Sequence, residues 1–82
     1  MDLIKLTEEI VKSIVKNPDA VVVKEFEADE EDTILIQVLV DSEDAGAVIG
    51  KGGKNAQAIR TVVQASSYIK DNKRIRINID TF

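Results

Sequence analysis

Cysteine and histidine are both absent from the 82 residues. Without them there is no disulfide framework, no thiol nucleophile, no imidazole general base, and none of the soft or imidazole ligands that structural zinc takes. Catalysis would fall to a carboxylate pair or to a lysine in a cleft, and the acids gather instead in one turn and on helix faces, so an enzyme is not expected. No cofactor, metal or small-molecule substrate is expected either. The acids Asp29-Glu30-Glu31-Asp32 lack the spacing and the glycine of a calcium loop and read as a solvated turn. No apolar run approaches the roughly 18 residues of a membrane span, and the first residues show neither a basic stretch leading into an apolar one nor a small-residue cleavage pattern. The cytoplasm is the expected compartment, with no membrane partner.

What is present is an ordinary globular balance, 44% hydrophobic and 32% charged at 9.0 kDa. A chain of this size forms one core, so residues 1–82 are expected to be a single domain. The net charge of -4 argues at first against a nucleic-acid partner, because phosphate needs positive potential. The distribution reverses that. Residues 1–41 carry four lysines against eleven acids, whereas residues 42–82 carry four lysines and three arginines against four acids. Between Ala45 and Ile79 the only acid is Asp71, so an acidic protein can still present one basic surface.

Periodicity divides the chain into six elements. Asp2 to Lys16 reads as an amphipathic helix with Leu3, Leu6, Ile10 and Ile14 on one stripe, Asp2 as its N-cap, Glu8 and Lys12 as an i, i+4 pair, and Asn17 before Pro18 as its stop. Val21 to Ala28 and Thr33 to Val40 read as strands, joined by the acidic turn into a hairpin. Ile34, Ile36, Val38 and Val40 share one face of the second strand. A short helix over Glu43 to Ile49 follows, with Glu43 and Asp44 in its first turn. A second helix runs from Lys54 to Lys70, with Ala56, Ile59, Val63 and Ser66 inward and Val62 and Ile69 beside them, and Arg74 to Asp80 alternates as a last strand. The predicted fold is α+β, a two-layer sandwich in the order α-β-β-α-α-β, with three helices on one face of a mixed three-stranded sheet.

Three glycines in four positions, Gly50-Lys51-Gly52-Gly53, interrupt the helical pattern between those last two helices. Glycine lets another backbone approach, the N-H groups opening the second helix carry partial positive charge, and Lys51 and Lys54 add ammonium groups, which together suit an anion. A Walker loop does not fit, since only three residues separate Gly46 from Gly50 and a helix precedes. Nor does a dinucleotide fingerprint, because Asn55 stands at its third glycine. A Gly-x-x-Gly loop between two helices remains, the phosphate clamp of KH modules.

With Val48-Ile49-Gly50-Lys51-Gly52-Gly53 followed by Ile59 at helical spacing, the chain resembles the small bacterial single-KH-domain RNA-binding proteins of the KhpA type, with the type II order of elements. The resemblance covers nearly the whole chain. It implies a groove for about four nucleotides of single-stranded RNA, bound with low sequence stringency. Gly50, Lys51, Gly52, Gly53 and Lys54 would grip the backbone, Ala45, Gly46 and Ile49 would form an apolar wall, and Arg60 would add a more distant charge. Backbone groups near Ile36 to Val40 would meet base edges, while Val48 and Ile59 read better as core. The resemblance further implies a post-transcriptional regulator or RNA chaperone acting as a homodimer or with a larger KhpB/Jag-like KH protein.

A protein-interaction module with vestigial nucleic-acid binding is the alternative. Leu35, Leu39 and Tyr68 are the residues such an interface would use, and they read equally as ordinary exposed apolar positions. Helix-turn-helix binding to DNA through residues 54–70 is disfavoured, since that helix has an apolar stripe to bury and offers only Lys54, Arg60 and Lys70 outside it.

Overall fold

The computed structural model describes residues 2–82. Helix α1 (Leu3–Lys12) leads through a short 3-10 turn at Pro18–Ala20 into β1 (Val22–Glu27) and β2 (Thr33–Val40), then α2 (Ala45–Ile49), the glycine turn Lys51–Gly53, α3 (Lys54–Lys70) and β3 (Arg74–Thr81). The sheet order is β1-β2-β3, with β1 antiparallel and β3 parallel to β2. This is the predicted mixed sheet, and its helices lie on one face. The parallel pairing is possible because two helices separate β2 from β3, a connection long enough to return the chain to the same end of the sheet.

The layers meet on the even-numbered face of β2. Ile36, Val38 and Val40 are fully buried there and Ile34 nearly so, with Ile77 of β3 beside them. Val11, Val48, Ile59 and Val63 close the core from the helix side. Each such side chain removes apolar area worth about 1.5–3 kcal/mol, so Val48 and Ile59 are structural residues, as their spacing suggested. Two hydroxyls share this interior at no loss of hydrogen bonds. Thr7 Oγ1 donates to Leu3 O at 2.8 Å and Ser67 Oγ to Lys73 O at 2.7 Å.

Four expectations are corrected. First, α1 stops at Lys12 rather than Lys16: Ser13 Oγ donates to Ile10 O at 2.6 Å, and the N-H groups of Lys16 and Asn17 are drawn off to Asp44. Asp2 does cap it, accepting from Ile4 N at 2.8 Å, and Glu8 pairs with Lys12 at 2.9 Å. Second, its buried line is Leu3, Thr7 and Val11, so Leu6, Ile10 and Ile14 turn towards α3 instead of the sheet. Third, α2 begins at Ala45, and neither Glu43 nor Asp44 lies in its first turn. Fourth, α3 buries Ser67 and not Ser66, and leaves Val62 and Ile69 exposed. The first strand is also one residue shorter at each end than its apolar run, and β3 one residue longer.

Candidate nucleic-acid interface

The corner is shaped by backbone conformations that only glycine takes without strain. Gly50 has φ 76° and ψ 169°, a region reserved for glycine, and a Cβ there would stand 2.8–2.9 Å from Asn55 Cγ, Cβ and N. Asn55 occupies that hollow because its Nδ2 donates to Ala47 O at 2.7 Å, holding a C-terminal carbonyl of α2 against the first turn of α3. Asn55, which the motif reading used only to reject another loop, is thus the brace of the corner. An asparagine two residues past a glycine pair, at the start of a helix, was the available signal. Gly52 and Gly53 are left-handed, at φ 65° and 77°, but a Cβ at either would enter open space.

Gly50→Ala is therefore expected to cost about 1–2 kcal/mol, read as a fall in Tm on the order of 5–10 °C. Gly46→Ala is the control. Gly46 is helical with nothing within 4 Å of a Cβ, so that change should leave Tm level or raise it. Equal melting temperatures for Gly50→Ala and the parent protein would overturn this account of the bend.

Only part of the corner's backbone is free for a ligand. The Gly53 amide donates to Gly50 O at 3.1 Å and the Lys54 amide to Lys51 O. The amides expected bare at the start of α3 are to that extent used. Those of Lys51 and Gly52 have no internal partner, and both residues are exposed. The ammonium groups of Lys51 and Lys54 make no ion pair, since Lys12–Glu8 and Arg76–Glu30 are the pairs found among the described residues. Two unpaired amides and two unpaired cations thus sit on one exposed bend.

Behind the bend, Ala45, Ile49 and Gly46 fall within about 100° of one another around α2. Ala45 is half-buried, Gly46 exposed and Ile49 41% exposed, while Val48 on the flank is fully buried. These three therefore share one side of α2, next to the glycines. Arg60 lies about one and a half turns along α3 from Lys54 and is held at the opposite side, with Nε and Nη2 donating to Ile77 O at 3.4 and 3.3 Å.

The strand against which α2 packs is β3. The expectation that backbone groups of Ile36 to Val40 meet a ligand is overturned, because β2 is the central strand. Its residues pair with β1 on one side and β3 on the other. The outer strands β1 and β3 carry the open edges, and β3 is the one against which α2 packs. Ile75 N donates to Gln64 Oε1 at 2.8 Å and Ile77 O accepts from Arg60, so odd-numbered residues of β3 direct their polar groups away from β2. Alternation then places the N-H of Ile77 and both backbone groups of Ile79 on that open edge.

The family model for the KhpA/KhpB KH domain matches residues 4–79. The chain belongs to that family. Similar proteins include the RNA-binding protein KhpA of Caldanaerobacter subterraneus subsp. tengcongensis, 45% identical over 75 residues that cover 92% of this chain and 96% of the relative. RNA-binding protein KhpA of Thermotoga maritima is 39% identical over 75 residues, covering 92% of this chain and 95% of the relative. Among solved structures, Aquifex aeolicus Era bound to GDP.AlF4- superposes with a TM-score of 0.72 at 15% identity, over 98% of this chain and 30% of that one. Era in complex with MgGDPNP and nucleotides 1506-1542 of 16S ribosomal RNA gives 0.70 at 16% identity, over 96% of this chain and 29% of that one. At those identities the likeness is one of fold, and it is the fold of a KH domain of type II order. No helix among the described residues is long and apolar enough to cross a membrane.

Proposed function

We propose that this protein is a non-catalytic RNA-binding module that holds about four nucleotides of single-stranded RNA. The observation that carries the reading is the exposed bend where the amides of Lys51 and Gly52 lack internal partners between the unpaired ammonium groups of Lys51 and Lys54. A phosphodiester there gains charge-assisted hydrogen bonds from both kinds of donor. Bases would lie towards Ala45, Gly46 and Ile49, with the β3 edge at Ile77 and Ile79 offering backbone groups to their hydrogen-bonding edges. The relatives named RNA-binding protein KhpA support the same reading.

The chemistry predicts weak and unselective binding. Phe26, Tyr68 and Phe82 are the chain's aromatic residues and none falls within residues 45–54, and few phosphates are neutralised. With two to four contacts, the logarithmic dependence of affinity on salt should have a slope of about -1.5 to -3, at roughly -0.7 per phosphate on a single strand. Titration of a short single-stranded RNA and of the matching duplex at several salt concentrations tests this. The single strand should bind more tightly, because a duplex keeps its bases stacked and away from Ala45, Gly46 and Ile49. Equal or tighter binding of the duplex would overturn the reading.

A second reading, self-association or pairing with a larger KhpB/Jag-like KH protein, has its own observation. Leu6 and Ile10 of α1, Ile14 just past its end, and Asn55, Ala58, Ile59 and Val62 of α3 line a largely apolar groove of about 390 Å3, with Ile14 38% and Val62 47% exposed. It lies on the helix layer, so an interface there and an RNA at the glycine bend are compatible. A dimer raises effective concentration along one RNA, which is how weak single sites become useful in a cytoplasmic regulator or RNA chaperone. Sedimentation at rising protein concentration reads the oligomeric state directly.

A further inference from the structure

Beyond Arg60 the space between α3 and the β3 edge does not close. It continues as a groove of about 390 Å3 lined by Arg60, Thr61, Gln64, Ala65, Tyr68 and Ile75, a volume within the roughly 300–1,000 Å3 typical of small-ligand clefts. Arg60 joins the two halves of the path. Its bonds to Ile77 O use two of its five N-H donors, and the remainder face solvent with no carboxylate bound to them.

The far half is braced by hydrogen bonds between α3 and the start of β3. Gln64 is clamped to the strand at both ends of its amide, Nε2 donating to Lys73 O at 2.9 Å and Oε1 accepting from Ile75 N at 2.8 Å. Tyr68 stands two turns beyond Arg60, 53% exposed, with Ser67 rather than Tyr68 supplying the buried contact of that turn. Lys73 and Arg74 at the start of β3 are exposed, and neither makes an ion pair. Arg74 shares a hollow with Tyr68, whereas Lys73 lines another with Asp2, Glu25 and Asp71. The channel has a definite end, because Tyr68 and Arg74 also line a hollow with Glu30, Glu31 and Asp32, and those carboxylates repel phosphate.

We propose that this groove is a stacking subsite that lengthens the RNA path, in which the base of a fifth or sixth nucleotide lies on the Tyr68 ring and a phosphate beside it faces the free donors of Arg60. The proposal rests on the RNA-binding reading of the glycine bend. Length supports it. From Gly53 to Tyr68 the helix rises about 22 Å, whereas four nucleotides at a stacked spacing of about 3.4 Å cover roughly 14 Å. The aromatic platform missing at the bend is supplied about two turns beyond Arg60, along the same helix. Because the acidic turn follows at once, the extension is short.

The chain holds one tyrosine and no tryptophan, so its tyrosine fluorescence reports Tyr68 alone. Tetra- and hexanucleotide single-stranded oligoadenylates are the probes, with affinity measured for the parent protein, Tyr68→Ala and Tyr68→Phe, and emission for the parent protein. The hexamer is expected to bind about 5- to 100-fold more tightly than the tetramer, beyond the gain from its extra registers, and to quench the emission at saturation while the tetramer does not. Tyr68→Ala should remove the length gain and keep the tetramer affinity, which also shows that the variant is folded. Tyr68→Phe should keep both. Tetramer binding with no length gain, a length gain that survives Tyr68→Ala, or emission unchanged by saturating hexamer would each overturn the subsite alone. Absence of binding by either oligomer would overturn the RNA-binding reading and the subsite with it.

Discussion

The double change Lys51→Asp with Gly52→Asp is expected to abolish binding of single-stranded RNA, weakening it by at least about 100-fold, while leaving the protein folded and its oligomeric state unchanged, at a cost in stability on the order of 1 kcal/mol. The size follows from what the substitution does at the bend. One ammonium is lost and two carboxylates arrive beside the free amides of Lys51 and Gly52, and hydrogen bonds to a charged group are worth about 1.5–3 kcal/mol each before repulsion is counted. Folding should survive because both residues are exposed and a Cβ at Gly52 meets nothing within 4 Å. The left-handed backbone at Gly52, φ 65° and ψ 19°, is one that aspartate tolerates better than most residues. Titration of the variant with the parent protein's best short RNA decides the matter. Unchanged affinity in a folded variant would move the function away from the glycine bend and towards the apolar groove between α1 and α3.

That prediction uses residues that were visible before any coordinates, and the reason is local. A run of three glycines in four positions can only be a bend, and period-3.6 and period-2 patterns on either side place it between helices and ahead of a strand. The bounds of β2 and α3, Thr33–Val40 and Lys54–Lys70, match the pattern because each is a long, strongly periodic segment. What the pattern did not show is whatever depends on partners far away in sequence. Alternation in residues 33–40 says which face is buried but not that both edges are occupied, so the backbone of Ile36 to Val40 looked available until β3 was found alongside. The phase of α3 was ambiguous at its end, where Ser66 and Ser67 are equally short and polar. The contact that decides between them is the Lys73 carbonyl, reached only after the chain has turned. In α1 the apolar arc is wide enough to accommodate two rotations, and packing against the sheet selects the one centred on Thr7.

Asp44 is the clearest case of a role set by distance, and it carries the largest expected effect on stability. It is 2% exposed, yet its side chain caps nothing in the helix it precedes. Its Oδ1 accepts from Lys16 N and its Oδ2 from Asn17 N, both at 3.0 Å, and Oδ2 also from Asn17 Nδ2 at 3.1 Å. One carboxylate thus pins the segment after α1 to the entrance of α2, and through α2 it sets the position of the glycine bend. The Lys16 backbone N-H holds this carboxyl below its ordinary value, against the upward pull of burial, with the Asn17 backbone, the Asn17 side chain and the Lys16 charge adding to the lowering. A carboxyl whose folded value is depressed stabilises the fold fully above its unfolded value of about 4 and loses that contribution as pH falls through the folded value. Asp44→Ala is expected to lower Tm at neutral pH on the order of 15 °C, since it strands several donors at once in a partly buried place. Asp44→Asn keeps the shape but sets an NH2 donor against one of those N-H groups, so it too should destabilise at pH 7. The difference between it and the parent protein should then narrow as pH falls below about 4. Thermal melts of the three proteins across pH 3–7 measure this. A gap between parent and Asp44→Asn that stays constant across the range would show that the charge on Asp44, as opposed to its shape, contributes nothing to holding α1 and α2 together.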